Sequence, residues 1–483
     1  MELSAKDGAK KRKKLEFPRP FAVMMILVLI FAVLSYVIPS SSYEMMDITY
    51  MQADGTEKVR SVVNPETWAL SEEDLSVSFM QYMTSFIRGL VSVADIVFCI
   101  FIVVGCFYIV SETGAITACV GRLIIKMGNK KALIVPIMMT VFAVLASTVG
   151  CYEEMLCFIP ILAPMLIAAG YDSLITVGVV MGGGAIGFAG ATTNPFTLGV
   201  AQGIAGLPMF SGIGFRVGVL IAFIITLGTL LVLYAKRLEK DQTRSLMYEM
   251  DRVYVENNGV DFSNLPELTT QRKAIMGIVV ISVATLIYGV MNFGWYFNEI
   301  TALFMVMGIV VTVVDGHGIN WFCDTLVAGM KTIVTGAMMC GFARAILVVL
   351  EDAQMLHTIL HAAAGVVQKL PEYMAAVGQY IFQCLMNYII PSGSGQATAT
   401  MPLMAALADL TGVNRQVAVQ CCVIGDAVSN PFTPTSGNIH AGLAMAGIPY
   451  VTWVKFWWKF LAVEYVVGLA VILIADAINY GPF

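Results

Sequence analysis

Read for polarity alone, the chain is a series of apolar runs separated by polar loops. Phe21–Ile38, Val93–Val110, Gly214–Tyr234, 273–292, 300–314, Thr325–Val349 and Phe456–Ile478 are each apolar enough to read as spans, since crossing a bilayer takes roughly 20 residues of helix. Four further stretches are interrupted by polar residues. Ala132–Ala169 is broken by Ser147-Thr148-Val149-Gly150-Cys151-Tyr152-Glu153-Glu154, and Pro371–Leu410 by Asn387-Tyr388-Ile389-Ile390-Pro391-Ser392-Gly393-Ser394-Gly395-Gln396. Carboxylates in mid-segment, as at Glu153-Glu154, cost at least ~2.5 kcal/mol each in lipid, so the first stretch reads as a re-entrant hairpin, 132–169, with its polar tip inside the protein, and the second, broken by its own polar tip, as another, 371–410. The other two, 174–207 and 417–447, contain Thr192-Thr193-Asn194-Pro195-Phe196-Thr197 and its echo Val428-Ser429-Asn430-Pro431-Phe432-Thr433. Proline removes a donor and frees carbonyls that hydrocarbon cannot satisfy, so these read as broken helices facing protein or water.

The succession of hairpin, broken helix and closing span occurs twice. Gly89–Glu112 and Gly329–Glu351 recur with nearly equal spacing, and the second half carries an extra span, Ile275–Val290. An odd number of spans between repeats inverts one relative to the other. The expected fold is therefore an all-α polytopic membrane protein with two inverted repeats, each holding a re-entrant hairpin and a broken transmembrane helix. Its parts are a basic cytoplasmic N-terminus (1–20), a first transmembrane half (21–235), a cytoplasmic linker (236–272) and a second half (273–483).

Composition agrees with that class: 58% of residues are hydrophobic and 13% charged, against about 25% charged in soluble domains. Charge orients the spans. Lys10-Lys11-Arg12-Lys13-Lys14 precedes the first run, Arg122, Lys126, Lys130 and Lys131 follow the second, and Lys236, Arg237, Lys240, Arg244, Arg252 and Arg272 fill the linker. All should be cytoplasmic by the positive-inside rule. The acid-rich segment 41–75 should lie outside. Ser40-Ser41-Ser42-Tyr43 is a weak cleavage candidate, and the first run reads as an uncleaved span.

Several function classes lose support. The net charge of −5 is set by loops, and no basic patch suggests nucleic acid. The ten cysteines lie mostly in apolar runs with no CxxC pair, as small apolar filler. Gly182-Gly183-Gly184 and Gly187 fit close helix packing, and no GxxxxGK[ST] points to nucleotide. His357 and His361 share i, i+4 spacing but lack the glutamate of HExxH, and read as surface or helix-end residues. No nucleophile–base pair or metal-spaced set lies in the spans, so an enzyme is not expected. A channel would use rings from identical subunits.

The ordered motifs Gly150-x-x-Glu153-Glu154, Thr193-Asn194-Pro195, Gly341-Phe342-Ala343-Arg344, Pro391-Ser392-Gly393-Ser394-Gly395-Gln396 and Gly425-Asp426-x-x-Ser429-Asn430-x-x-Thr433-Pro434-Thr435-Ser436 resemble the C4-dicarboxylate anaerobic carrier family, from about Phe17 to the C-terminus. Within it they are most similar to the YfcC-like branch, described as basic amino acid antiporters. The resemblance implies an ion-transporter-superfamily fold in a bacterial inner membrane, a homodimer, and an elevator-type displacement of substrate.

At the hairpin tips Ser147, Thr148, Ser392, Ser394 and Gln396 can hydrogen-bond a substrate carboxylate, aided by helix N-termini. Backbone carbonyls at the breaks with Asn194, Thr197, Asn430 and Thr433 can coordinate sodium; Thr193 and Ser429 flank them. No cofactor is expected beyond coupling to sodium or protons. Glu153, Glu154 and Asp426 would cluster if the first hairpin meets the second broken helix, and buried carboxylates call for a cation or a proton. The substrate is then an amino acid more readily than a dicarboxylate, although either glutamate can instead cap a hairpin helix or pair with Arg344. Arg344 is a weaker candidate for binding a carboxylate.

Overall fold

The computed structural model describes residues 20–51, 57–73, 75–116, 118–119, 122, 132–148, 150, 152–257, 267–293, 295 and 297–481. The basic cluster at 10–14, Lys126, Lys130, Lys131 and part of the linker lie outside them, as does the side chain of Glu154. Among the described residues, Ile213–Lys240, Phe297–Val314 and Tyr450–Ala477 are single helices long and apolar enough to cross a membrane.

Helix follows the apolar runs because, with no water to bond to, each backbone N–H must find a carbonyl within its own segment. The run around Thr325–Val349 is one long helix, Ile319–Asp352, which bends by 80° into Met355–Gln368. Interfering polar residues mark where helix stops. Ile134–Thr148 ends before Gly150, and a 3-10 turn, Glu154–Phe158, leads into Ile159–Ala168. Glu372–Asn387 and Gly393–Thr411 flank Tyr388–Ser392.

The course from Ser173 to Ala189 contains a π-turn, Gly178–Gly182, then leaves helix until Pro195. Arg415–Ser429 passes through a 3-10 turn, Asn430–Phe432, before helix resumes at Gly437. Glycines let these segments approach closely, with the Trp457 ring over Gly182 and the Tyr152 ring over Gly184.

Apolar packing sorts the helices into bodies. The largest cluster is centred on Ile134–Thr148, Ser173–Ala189, Ile213–Lys240 and the C-terminal helices from Glu372 to Ala477. A second joins Ala94–Glu112 with Phe297–Val314 and part of Thr270–Phe293. A third joins Pro20–Leu34 and Phe79–Ser92 to the end of Ile319–Asp352.

The acid-rich segment departs from the all-α expectation. Met45–Met51 pairs antiparallel with Glu57–Val63, and Ser41–Ser42 with Ala69–Leu70. Ile48, Thr49, Tyr50, Val59, Val62 and Val63 supply the β-branched and aromatic residues that favour strand. This small cap is pinned to Met355–Gln368: Trp68 stacks on His361 at 4.0 Å, and Tyr43 Oη lies 3.2 Å from His361 Nδ1. His357 packs edge-on to Tyr43, so both histidines belong to an aromatic anchor. Cys99, Cys106, Cys157, Cys384, Cys421 and Cys422 are buried and not disulfide-bonded.

Candidate functional site

The first polar turn is sewn to the first helix break. Gly150, at φ +81°, reverses the chain after Ile134–Thr148, and a β-carbon there would lie 2.8 Å from Asn194 Oδ1. Ser147 Oγ donates to the Gly190 carbonyl at 2.8 Å, and Thr193 Oγ1 to the Thr148 carbonyl at 3.0 Å. Thr148 Oγ1 turns back to the Val144 carbonyl. Asn194 Nδ2 donates to the Ala146 carbonyl at 3.2 Å while its Oδ1 accepts from the amides of Phe196 and Thr197 at 2.9 and 3.2 Å. Asn194 is thus the N-cap that restarts the helix after Pro195, supplying an acceptor for otherwise orphaned N–H groups.

A guanidinium completes the break from the other side. Arg216 is fully buried and donates from Nε to the Ala191 carbonyl (2.7 Å), from Nη1 to Ser211 O (2.5 Å) and Tyr480 Oη (3.0 Å), and from Nη2 to Phe210 O (2.8 Å). Gln202 and Gln416 both donate to the same Ser211 carbonyl, tying the break to the start of Arg415–Ser429.

The second polar turn is organised by amides. Ser392 Oγ caps Gly393–Thr411 by accepting from the Gly395 amide at 3.3 Å. Asn387, fully buried, donates to Asp426 Oδ1 at 2.7 Å and to Gln396 Oε1 at 3.3 Å, and accepts from Thr433 Oγ1 at 2.9 Å. Gln396 Nε2 continues to Gln383 Oε1 at 2.8 Å. Carbonyls at the second break are taken by the last helix: Trp453 Nε1 donates to Pro431 O and Tyr450 Oη to Phe432 O, both at 2.6 Å. Ser429 Oγ meets Tyr465 Oη at 2.9 Å, and Asn430 Oδ1 accepts from Ser436 Oγ at 2.7 Å.

Between the turns and breaks lies a cavity of about 190 Å³. Glu153, Thr197, Ser392, Ser394, Asp426 and Asn430, all singled out in the sequence, stand in its wall. Glu153 Oε1 accepts from Asn438 Nδ2 at 3.1 Å. Thr197 Oγ1 is buried with no hydrogen-bond partner among the described residues. Gly393, at the start of its helix, comes so close that a β-carbon would collide with Thr197 Oγ1 and lie 2.9 Å from Asp426 Oδ2. The cavity therefore presents two carboxylates together with a hydroxyl-bearing helix N-terminus, whose dipole favours an anion.

Other candidates stand behind the wall. Ser147, Thr148, Thr193, Asn194, Gln396, Ser429 and Thr433 do not line the cavity and hold turns and breaks through the bonds above, Ser429 Oγ also reaching the Cys384 carbonyl at 3.4 Å. Asn194, Asn430 and Thr433 spend their side-chain oxygens on protein donors or on Asn387. Among the described residues no group of three or more His, Cys, Asp or Glu side chains could hold a metal ion. Arg344 lies away from the cavity, on Ile319–Asp352 among residues that pack against the first helix, with Glu351 within its electrostatic reach. Sequence reasoning missed Tyr152, Phe188, Phe196 and Asn438 in the wall, and Asn387 and Arg216 behind it. Tyr152 and Asn387 sit inside the polar interruptions, which was the available signal.

The profile of the C4-dicarboxylate anaerobic carrier family matches residues 17–477. The chain belongs to this family. A relative from Escherichia coli K12, "Putative basic amino acid antiporter YfcC", is 30% identical over 509 residues, covering 99% of this chain and 100% of its own. An uncharacterized protein of Haemophilus influenzae is 28% identical over 488 residues, covering 93% and 95%. The crystal structure of the Alcanivorax borkumensis YdaH transporter is similar at a TM-score of 0.40 with 14% identity, over 96% of this chain and 99% of that one. Membership of this carrier family, together with the three helices able to cross a bilayer, makes the chain an integral membrane transporter.

Proposed function

We propose that this carrier is a secondary active transporter of the bacterial inner membrane, with a cytoplasmic N-terminus, and that the cavity binds a small metabolite bearing both a carboxylate and a cationic group. The observation that carries this reading is the cavity wall itself, where Glu153 and Asp426 share one small space with the Ser392-Gly393-Ser394 helix N-terminus. The carboxylate of an amino acid would sit at that N-terminus and its cationic groups between the two acids. The substrate class is then a basic amino acid, taken by exchange or by ion-coupled uptake, and the name of the Escherichia coli relative points the same way.

The two Asn-Pro breaks and two polar turns around one site support two inverted repeats, each with a re-entrant hairpin. The separation of apolar clusters supports an elevator, in which the body around the cavity slides against a homodimeric scaffold built on Ala94–Glu112 and Phe297–Val314. The second reading is a C4-dicarboxylate carrier coupled to sodium or protons, favoured by the family description and by the anion-binding helix end.

Uptake of labelled arginine into proteoliposomes preloaded with ornithine, with excess succinate as competitor, separates the two. The expected result is exchange indifferent to succinate and lost in Glu153→Gln and Asp426→Asn. Succinate transport without arginine exchange would replace the amino-acid reading by the dicarboxylate one.

A further inference from the structure

We propose that Glu464 is a proton-binding site that couples transport to a proton gradient. The inference deepens the reading above and rests on it for what is carried. Glu464 lies mid-way along Tyr450–Ala477 and is 1% exposed, on the stripe that also buries Trp453, Trp457, Phe460 and Ile472. On one side of it Trp457 fills the space over Gly178 and Gly182; on the other, Gly468 lies against Tyr380 and Ile424. Glu464 thus lies on the face of its helix that packs, through Trp457, on the π-turn of the first broken segment and, through Gly468, on the helix that carries Asp426. Among the described residues neither of its carboxyl oxygens has a hydrogen-bond partner.

An ionised carboxylate without partners is among the most costly states for a group inside a membrane protein. A proton removes the charge and needs no additional room. Hard cations such as sodium require several oxygens around them, whereas this stripe offers rings and hydrocarbon.

Among the described residues, the titratable groups on the surrounding elements supply no counter-ion. The first turn contributes Tyr152 and Glu153; Arg415–Ser429 contributes Cys421, Cys422 and Asp426, with Arg415 at its far end paired to Asp409; and Gly437–Met445 contributes His440, whose ring lies against Tyr450 at the start of the Glu464 helix. Glu372–Asn387 brings Tyr380 and Cys384, Ile213–Lys240 brings Tyr234 with its cations confined to Arg216 and the Lys236–Lys240 end, and Tyr465 is the neighbour in sequence. Tyr152 connects the buried acid to the cavity: it stands in the cavity wall and lies within electrostatic reach of Glu464, Asp426 and Glu153 together. Proton occupancy of Glu464 can therefore be sensed where substrate binds.

The test uses the full chain in proteoliposomes with Glu464→Gln and Glu464→Asp. In the infrared difference spectrum of wild type against Glu464→Gln at neutral pH, the carbonyl stretch of an un-ionised carboxylic acid should appear as a wild-type band, the other buried acids cancelling. In transport, Glu464→Gln should keep arginine counterflow but lose acceleration by an inward proton gradient, and Glu464→Asp should keep the acceleration with a displaced pH profile. A difference spectrum without that band, or gradient-driven uptake equal to wild type in Glu464→Gln, overturns the proposal. Absence of transport with both arginine and succinate in wild type would sink the functional reading, while the infrared comparison still decides whether Glu464 holds the proton.

Discussion

Arg216 offers the sharpest test of how the first break is held. Its guanidinium makes four bonds of 3.0 Å or less, three of them to backbone carbonyls, and among the described residues no carboxylate pairs with it. Arg216→Lys keeps the charge but replaces a planar fork by one nitrogen, which cannot reach acceptors spread over Ala191, Phe210, Ser211 and Tyr480 at once. If two of the four bonds are lost, at about 1.5–3 kcal/mol for each bond to a charged donor, and relaxation recovers part, the cost is about 3 kcal/mol. For a cooperative unit of roughly 200 residues that is a fall in melting midpoint of about 6–12 °C. The assay is thermal unfolding of the purified carrier in detergent, followed by arginine exchange, which should fall too because Ala191 and Thr192 lead directly into Asn194-Pro195. Arg216→Met separates fork from charge, since it abandons the same carbonyls but removes the buried cation. A Lys variant melting within about 1 °C of wild type, or a Met variant more stable than wild type, would refute the argument that the fork holds the break.

Two further outcomes follow from the geometry. Gly393→Ala should abolish exchange with little change in membrane insertion, because its β-carbon meets Thr197 and Asp426 in the cavity wall; transport at wild-type rate would show that the second turn does not close on the first break. Asp251, on the linker helix Tyr248–Asn257, accepts from the Ser173 amide at 3.0 Å, and burial lifts its carboxyl to about 6 from the ordinary 3.8. The docked state then binds the proton more tightly than the undocked one, so docking weakens as pH rises from about 4 to about 6, by on the order of 3 kcal/mol, and is level above that. Limited proteolysis of the linker should be slower at about pH 5 than at about pH 8, and slow at both in Asp251→Asn; equal cleavage of wild type at the two values would remove the role given to Asp251.

What the sequence disclosed, and what it hid, follows from how far each interaction reaches along the chain. Polar residues inside apolar runs are conspicuous, so both turns and both Asn-Pro breaks were legible, and six of the residues chosen there do stand in the cavity wall. Whether a polar side chain meets a ligand or its own backbone depends on a partner elsewhere. Asn194 and Thr433 were candidates for sodium, yet one caps a helix and the other bonds Asn387. The donors that relieve Pro431 and Phe432 come from Trp453 and Tyr450, aromatic residues that composition assigns to packing. Arg344 drew notice because it interrupts an apolar run, whereas Arg216 sits near the start of one, where arginine is ordinary. Only the loop folding back over it reveals a buried cation that organises the break. The small β-cap was obscured for a related reason: two short alternating strands carry a weak local signal, and His357 and His361, which anchor it, lie some three hundred residues further along the chain. Local chemistry thus marked where the carrier departs from plain spanning helix, and long-range contact decides which of those departures face the cavity.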